Sequence, residues 1–196
     1  MKTKALLIAL LALALVACNN TPEPTEPKEQ TVDALGTLIT ADGLEHLKKG
    51  TELPDTIPGY EVTPVIVTYE EDMEELELHV VKDGKTVVIL HPGFIEETDE
   101  PDDIIGAMTI VSDQFATSEG IRVGSSVQEL LKKDGVKVFF DETAFHVTYN
   151  GIDYILFAED YEGEPPAVPF DVMAEVENPT FKADAKVREI FIGYGL

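Results

Sequence analysis

Four histidines, two adjacent serines and several runs of carboxylates are the side chains in this 196-residue chain whose types could carry chemistry. The histidines are His46, His79, His91 and His146. A zinc site wants histidines at i and i+4 on a helix, or clustered with carboxylates, and neither spacing is present. His79 and His146 each sit between apolar residues of an alternating segment, Leu78-His79-Val80 and Phe145-His146-Val147. Their side chains are therefore expected on the face turned away from the core. Ser125 and Ser126 have the right chemistry for nucleophiles. Their surroundings, Ile121-Arg122-Val123-Gly124-Ser125-Ser126-Val127, lack the Gly-x-Ser-x-Gly elbow of the α/β hydrolases. Helix capping accounts for both serines, and a triad assembled from distant positions stays open as an alternative.

The carboxylates gather at Glu70-Glu71-Asp72, Glu74-Glu75, Asp99-Glu100 and Asp102-Asp103. Glycoside hydrolysis needs two carboxyls across a cleft lined with aromatics, and the chain has no tryptophan. Calcium takes oxygen ligands, which makes the 96–103 segment an alternative binding loop, although no Asp-x-Asp-x-Asp-Gly pattern supports it. Gly120 and Gly124 belong to no phosphate-binding motif. The aromatics Tyr149, Tyr154, Phe157 and Tyr161 cluster near one another and are expected to pack across a sheet, any exposed ones marking a protein-contact surface. No catalytic residues, cofactor or metal ligands are assigned on these grounds.

These residues must be positioned by strands. Leu78-His79-Val80, Asp83-Gly84 and Val87-Val88-Ile89-Leu90 have a counterpart in Phe145-His146-Val147, Asn150-Gly151 and Tyr154-Ile155-Leu156-Phe157. The same 67 positions separate His79 from His146 and Gly84 from Gly151. Asp-Gly and Asn-Gly between alternating apolar runs predict two β-hairpins, since both residues of a type I′ turn need positive φ. Upstream, Thr40-Ala41-Asp42-Gly43-Leu44 matches Thr117-Ser118-Glu119-Gly120-Ile121. Ser126 and Glu129 have capping-box spacing, Lys132 and Lys133 follow, and Gly135 is placed to end a short helix. Further strands are expected over 35–39, 62–69, 104–111, 136–140 and 187–192, with loops at 96–103 and 159–169. The expected fold is α+β: a largely antiparallel sheet, one or two short helices, and two similar hairpin-containing halves.

The charge is lopsided, 14 basic against 38 acidic residues, a formal −24. Such a surface repels phosphate backbones and anionic head groups, so nucleic acid is not an expected partner. A hydrophobic fraction of 44% argues against disorder despite that charge.

Lys2 and Lys4 head an apolar run over 5–17 that ends on small residues before Cys18, the single cysteine. A spanning helix needs roughly 20 apolar residues, so 1–17 reads as a signal peptide. Leu15-Val16-Ala17-Cys18 resembles the bacterial lipobox, whose cysteine is lipidated and becomes the mature N-terminus. That resemblance implies lipidation of Cys18 by palmitate-type chains and membrane anchoring in a bacterial cell envelope, the domain facing periplasm or exterior. Asn19 is not the aspartate linked to inner-membrane retention in enteric bacteria, which favours the outer membrane where one exists. Residues 18–31, with Pro22, Pro24, Pro27 and three glutamates, read as an extended tether. The globular domain is expected over 32–196, with halves 32–103 and 104–196.

The stretch from Gly120 to Leu130, followed by Gly135 and a hairpin, is similar to the helix-plus-sheet modules of outer-membrane assembly lipoproteins and of the β-lactamase-inhibitor-like fold. Ser125 stands where those modules often carry methionine, and no proline follows Gly135. The resemblance implies a non-enzymatic binding role and transfers no functional residue. The expected function is a membrane-anchored, non-catalytic binding or scaffold domain with a protein partner. The alternatives are an envelope hydrolase using carboxylates or Ser125/Ser126, and a calcium-binding surface module.

Overall fold

Asp83-Gly84 and Asn150-Gly151 reverse the chain as their chemistry requires. In a computed structural model all four residues have positive φ, 52° and 73° in the first turn and 53° and 72° in the second. The structure describes residues 33–68, 74–95, 100–169 and 172–193, all within the compact unit Val32–Leu196. Cys18 with the leader and tether, the run Glu70-Glu71-Asp72, and Asp99 lie outside the described residues.

In chain order the strands are β1 (Leu38–Thr40), β2 (Gly43–Leu44), β3 (Glu61–Thr68), β4 (Glu74–Lys82), β5 (Lys85–Ile95), β6 (Glu100–Ile110) and β7 (Ala116–Thr117). A single helical turn, α1 (Val127–Leu130), precedes β8 (Lys137–Phe140), β9 (Ala144–Tyr149), β10 (Ile152–Phe157), β11 (Ala174–Glu175) and β12 (Glu189–Ile192). Among the described residues these form a nine-stranded antiparallel sheet in the order β11-β8-β9-β10-β12-β6-β5-β4-β3 and a small sheet β2-β1-β7. The large sheet is two meanders, β3 to β6 and β8 to β10, joined through β12, which pairs with both β10 and β6, while β11 caps the edge at β8. No helix among the described residues is long and apolar enough to cross a membrane.

Alternation decides the faces of the sheet. Val138, Val147, Tyr154, Ile190, Ile110, Val88 and Val80 are cross-strand partners in succession and none is more than 4% exposed. This inner face packs on Ile39, Leu44, Phe115, Val127, Leu130, Phe181 and Val187 from the connecting segments, giving one continuous core. Gly106 marks a close approach within the β5/β6 pair. A Cβ there would stand 2.8 Å from Gly93 Cα and 2.9 Å from its nitrogen, beside the register shifts around Pro92.

The expected α+β class is corrected to all-β. The helix predicted from Ser126 to Gly135 is only the turn Val127–Leu130, with no side-chain cap from Ser126. Ser126 instead forms a bridge with Lys186, and the Val127 amide donates to the Ala185 carbonyl. Only Val127 and Leu130 of α1 reach the core, too narrow an apolar face to extend a helix. The helix-plus-sheet module implied by resemblance is therefore absent among the described residues. The loop expected over 96–103 is overturned at its end, since residues 100–103 belong to β6. The same strand runs through the expected boundary between halves at 103/104. Of 159–169, the first residues complete the 3₁₀ turn Ala158–Asp160, and Tyr161 bridges to Phe181.

Candidate functional site

Outside the core, the second face of the large sheet carries the titratable groups. Thr148, Asp153, Phe191, Thr109, Ile89, His79 and Thr63 form one cross-strand row there. His146 and His91 sit on strands of this face, so His79 and His146 do turn from the core, but into a half-buried polar layer. His146 is bracketed: Nε2 lies 2.8 Å from Asp141 Oδ2 and Nδ1 lies 3.3 Å from Asp153 Oδ2. Thr148 donates to the other Asp153 oxygen at 2.8 Å. Burial by itself would lower the His146 pKa, but the bonds to Asp153 and Asp141 outweigh it and hold the imidazole above its ordinary value. Burial works against ionising Asp141, yet the Ala144 amide, His146 and Thr143 bring its carboxyl down to about 2. Asp141 thereby closes the turn between β8 and β9.

His91 shows the reverse. Burial holds its pKa below the ordinary value, against the upward pull of Glu77 and Glu75, and its Nε2 is 2.9 Å from Thr109 Oγ1. His79 Nε2 pairs with Glu77 Oε2 at 2.7 Å. On β12, beyond β6, burial and then Glu77 raise the Glu189 carboxyl. His46 is exposed on a connecting segment. The His91–Thr109 and His146–Asp153 contacts brace neighbouring strands, whereas His79 and Glu77 pair along β4 itself. Among the described residues no three His, Cys, Asp or Glu side chains are grouped to hold a metal ion.

Ser125 Oγ accepts the Arg122 amide at 2.9 Å and so shapes the loop before α1. No histidine bonds to Ser125 or Ser126 among the described residues, and the triad geometry is not assembled there. Phe145 stacks on Tyr161 at 4.7 Å and meets Phe181 edge-on at 5.1 Å, so part of the aromatic group fills the core. Phe157 is 39% exposed, with the Arg188 guanidinium 5.6 Å from its ring centre. That guanidinium holds the buried Asp160 through two bonds of 2.9 and 2.7 Å. Of the acidic clusters, Glu74 and Glu75 are exposed at the start of β4, and Asp102 and Asp103 lie on β6.

The feature sequence reading missed is apolar. Ile66 is 59% exposed and Phe94 62%, with Ile95 at 37%. Ile66 stands directly opposite Leu76 across the β3/β4 pair. Leu76 shares a hollow of about 90 Å³ with His91, Pro92, Phe94, Pro101 and the carboxylates Glu74 and Glu75. The signal available in sequence was the run Val65-Ile66-Val67 and the pair Phe94-Ile95, each placed just before an acidic stretch.

No protein-family model matches the chain, and no curated protein sequence matches it. Among solved structures it is similar to the crystal structure of the uncharacterized protein YfeY from Escherichia coli. The match has 17% sequence identity, covers 79% of this chain and 98% of that chain, and gives a TM-score of 0.51. At that identity the likeness shows the fold alone.

Proposed function

We propose that this chain is a lipid-anchored, non-catalytic binding domain of the bacterial cell envelope that holds a protein partner at the ends of its two long hairpins. The observation carrying the reading is the patch at the far end of β3 to β5, where Ile66 and Phe94 are left in water and flank the half-buried Leu76. Scattered exposed apolar residues are ordinary, whereas adjoining ones on one face favour an interface. The carboxylates Glu74 and Glu75 rim the patch and neither lysine nor arginine lines its hollow. The connections after Thr68 and Ile95 add Glu70, Glu71, Asp72, Glu96, Glu97 and Asp99 in sequence. An apolar centre with an acidic rim fits a basic, amphipathic protein segment. The formal charge of −24 disfavours both a second copy and an anionic bilayer as occupant.

The anchor rests on Leu15-Val16-Ala17-Cys18, and the geometry is compatible with it. Asp33, the first described residue, accepts from Lys82 at 2.8 Å and from the Tyr60 hydroxyl at 2.7 Å. It thus enters at the opposite end of β4 from Glu74, nine residues or about 30 Å from the patch.

The test is in-cell photo-cross-linking from position 66 of the full chain, with and without Phe94→Asp. The expected result is one discrete adduct, lost in Phe94→Asp and weakened by salt, whose cross-linked peptide is basic and amphipathic. No discrete adduct, or one indifferent to Phe94→Asp, refutes the docking surface. For the anchor, Cys18→Ser should leave the membrane fraction or accumulate unprocessed; normal cleavage with full membrane retention refutes lipidation.

A further inference from the structure

A second concave site lies where the small sheet meets the turn between β9 and β10. It is a hollow of about 220 Å³ between β1, β7 and that turn. Its walls are largely apolar: Leu38, Ile39, Ala41 and Ile152. Tyr154 forms part of its lining and is only 1% exposed. Among the described residues nothing donates to or accepts from the Tyr154 hydroxyl, although the polar groups around it are bonded. A buried phenol ordinarily finds a partner, because leaving its hydroxyl unmatched away from water is costly. The hydroxyl is not sealed off: Tyr154 keeps its small remaining exposure on the side that lines the hollow.

The rim is already satisfied and organised. Glu119 accepts from Tyr149 at 3.0 Å and Asn150 at 3.2 Å and is paired with Lys133. That leaves the Tyr154 hydroxyl as the unpaired polar group at the wall of the hollow.

We propose that this hollow is a binding site for a small monocyclic amphiphile, uncharged or cationic, whose single hydroxyl or amine head meets the Tyr154 hydroxyl while its ring fills the space between β1 and Ile152. Size supports the class. An apolar cavity of about 150 Å³ takes benzene, so 220 Å³ admits a ring with a short polar substituent. Charge supports it too, since Glu119 at the mouth and the acidic surface disfavour a carboxylate or phosphate head.

The experiment is titration of the ¹⁵N-labelled full chain with benzyl alcohol, benzylamine, toluene and benzoate at millimolar concentration, followed by amide shifts. Benzyl alcohol and benzylamine are expected to saturate, with the shifts centred on Leu38, Ile39, Thr117 and Ile152, and benzoate to bind more weakly. Tyr154→Phe keeps the ring and loses one hydrogen bond, so it should weaken both polar probes by roughly five- to tenfold and leave toluene unchanged. Ala41→Leu, which fills the hollow from a half-buried position, should abolish binding of all four while the spectrum stays folded. No saturable shift with either polar probe means the phenol is met by water only, and overturns the proposal. So does binding that maps elsewhere, or polar-probe affinity unchanged in a folded Tyr154→Phe.

Discussion

Replacing His146 by glutamine removes the charge between Asp141 and Asp153 while keeping a hydrogen-bonding side chain of similar reach. Both imidazole nitrogens face carboxylates, at 2.8 and 3.3 Å, so only the protonated ring can donate to both. A hydrogen bond to a charged group is worth about 1.5–3 kcal/mol net. The contact with Asp153 is long, and the Asp141 side chain is 32% exposed and partly screened. Together they support a loss of about 2 kcal/mol where His146 is charged, or about 4–8 °C in Tm for a domain of this size. The folded pKa of His146 is raised, so this contribution is fully present below the unfolded value of about 6.5 and is lost as pH rises through the folded value. At the acid end Asp141 titrates at about 2 against an ordinary 3.8, so its contribution fades as pH falls from there toward 2. Urea unfolding of wild type and His146→Gln across pH 4 to 9 should therefore show a gap widest between about pH 4 and 6.5 and narrowing above it. A gap that is flat, or that widens with pH, refutes the bracketed imidazolium, as does an NMR titration placing the ring at or below its ordinary pKa.

His91 should behave with the opposite sign. Its folded pKa is lowered by burial, so wild type should lose stability relative to His91→Gln as pH falls below about 6.5, and the two difference curves should slope in opposite directions. Arg188→Ala strands the Asp160 carboxylate, which is 5% exposed, and should cost about 3 kcal/mol in urea. Adding Asp160→Asn should recover part of that loss. Gly106→Ala drives a methyl into Gly93 backbone and should cost about 1–3 kcal/mol with amide shifts confined to β5 and β6. Gly84→Ala meets open space, and only its φ of 73° opposes it, so it should cost about 1 kcal/mol. Equal losses at the two glycines would contradict the close approach.

What sequence could reveal was local. Asp83-Gly84 and Asn150-Gly151 announce hairpins because the turn conformation itself selects those residues, and the alternation in β4, β9 and β10 follows from one covered face. The helix after Ser126 failed because capping-box spacing is also local, whereas the pairing of Ser126 with Lys186 comes from sixty positions away and wins. Residues 100–103 look like a loop by polarity, yet Glu100 and Pro101 pair with β5 and the Asp103 carbonyl accepts the Leu53 amide, whatever the side chains carry. The brace of Asp160 by Arg188 depends on two segments meeting and leaves no spacing signal. Tyr154 is legible as an aromatic that packs across the sheet, but whether its hydroxyl finds a partner depends on β1 and β7, which the turn at 150–151 meets only in the folded chain. Cys18 lies outside the described residues, and its role rests on the lipobox resemblance.

The two meanders are unequal, and their difference in length explains where a binding surface can form. Strands β9 and β10 have six residues each, against 11 in both β5 and β6. Five extra residues carry the longer strands about 17 Å further. The connecting segments that seal the inner face cover β4 and β5 at Val80, Val88 and Leu90, all 0% exposed, but leave Ile66 and Phe94 in water. An uncovered apolar sheet end beside the edge strand β3 is an aggregation hazard. The chain limits it with Pro64 in that strand, which cannot donate a ladder hydrogen bond, and with the surrounding carboxylates. Both devices discourage another copy from pairing along the edge, yet neither covers the apolar side chains themselves. A sheet end built to stay soluble would replace Ile66 and Phe94 by polar residues. One that excludes its own kind while keeping them exposed has the properties needed to receive a basic partner.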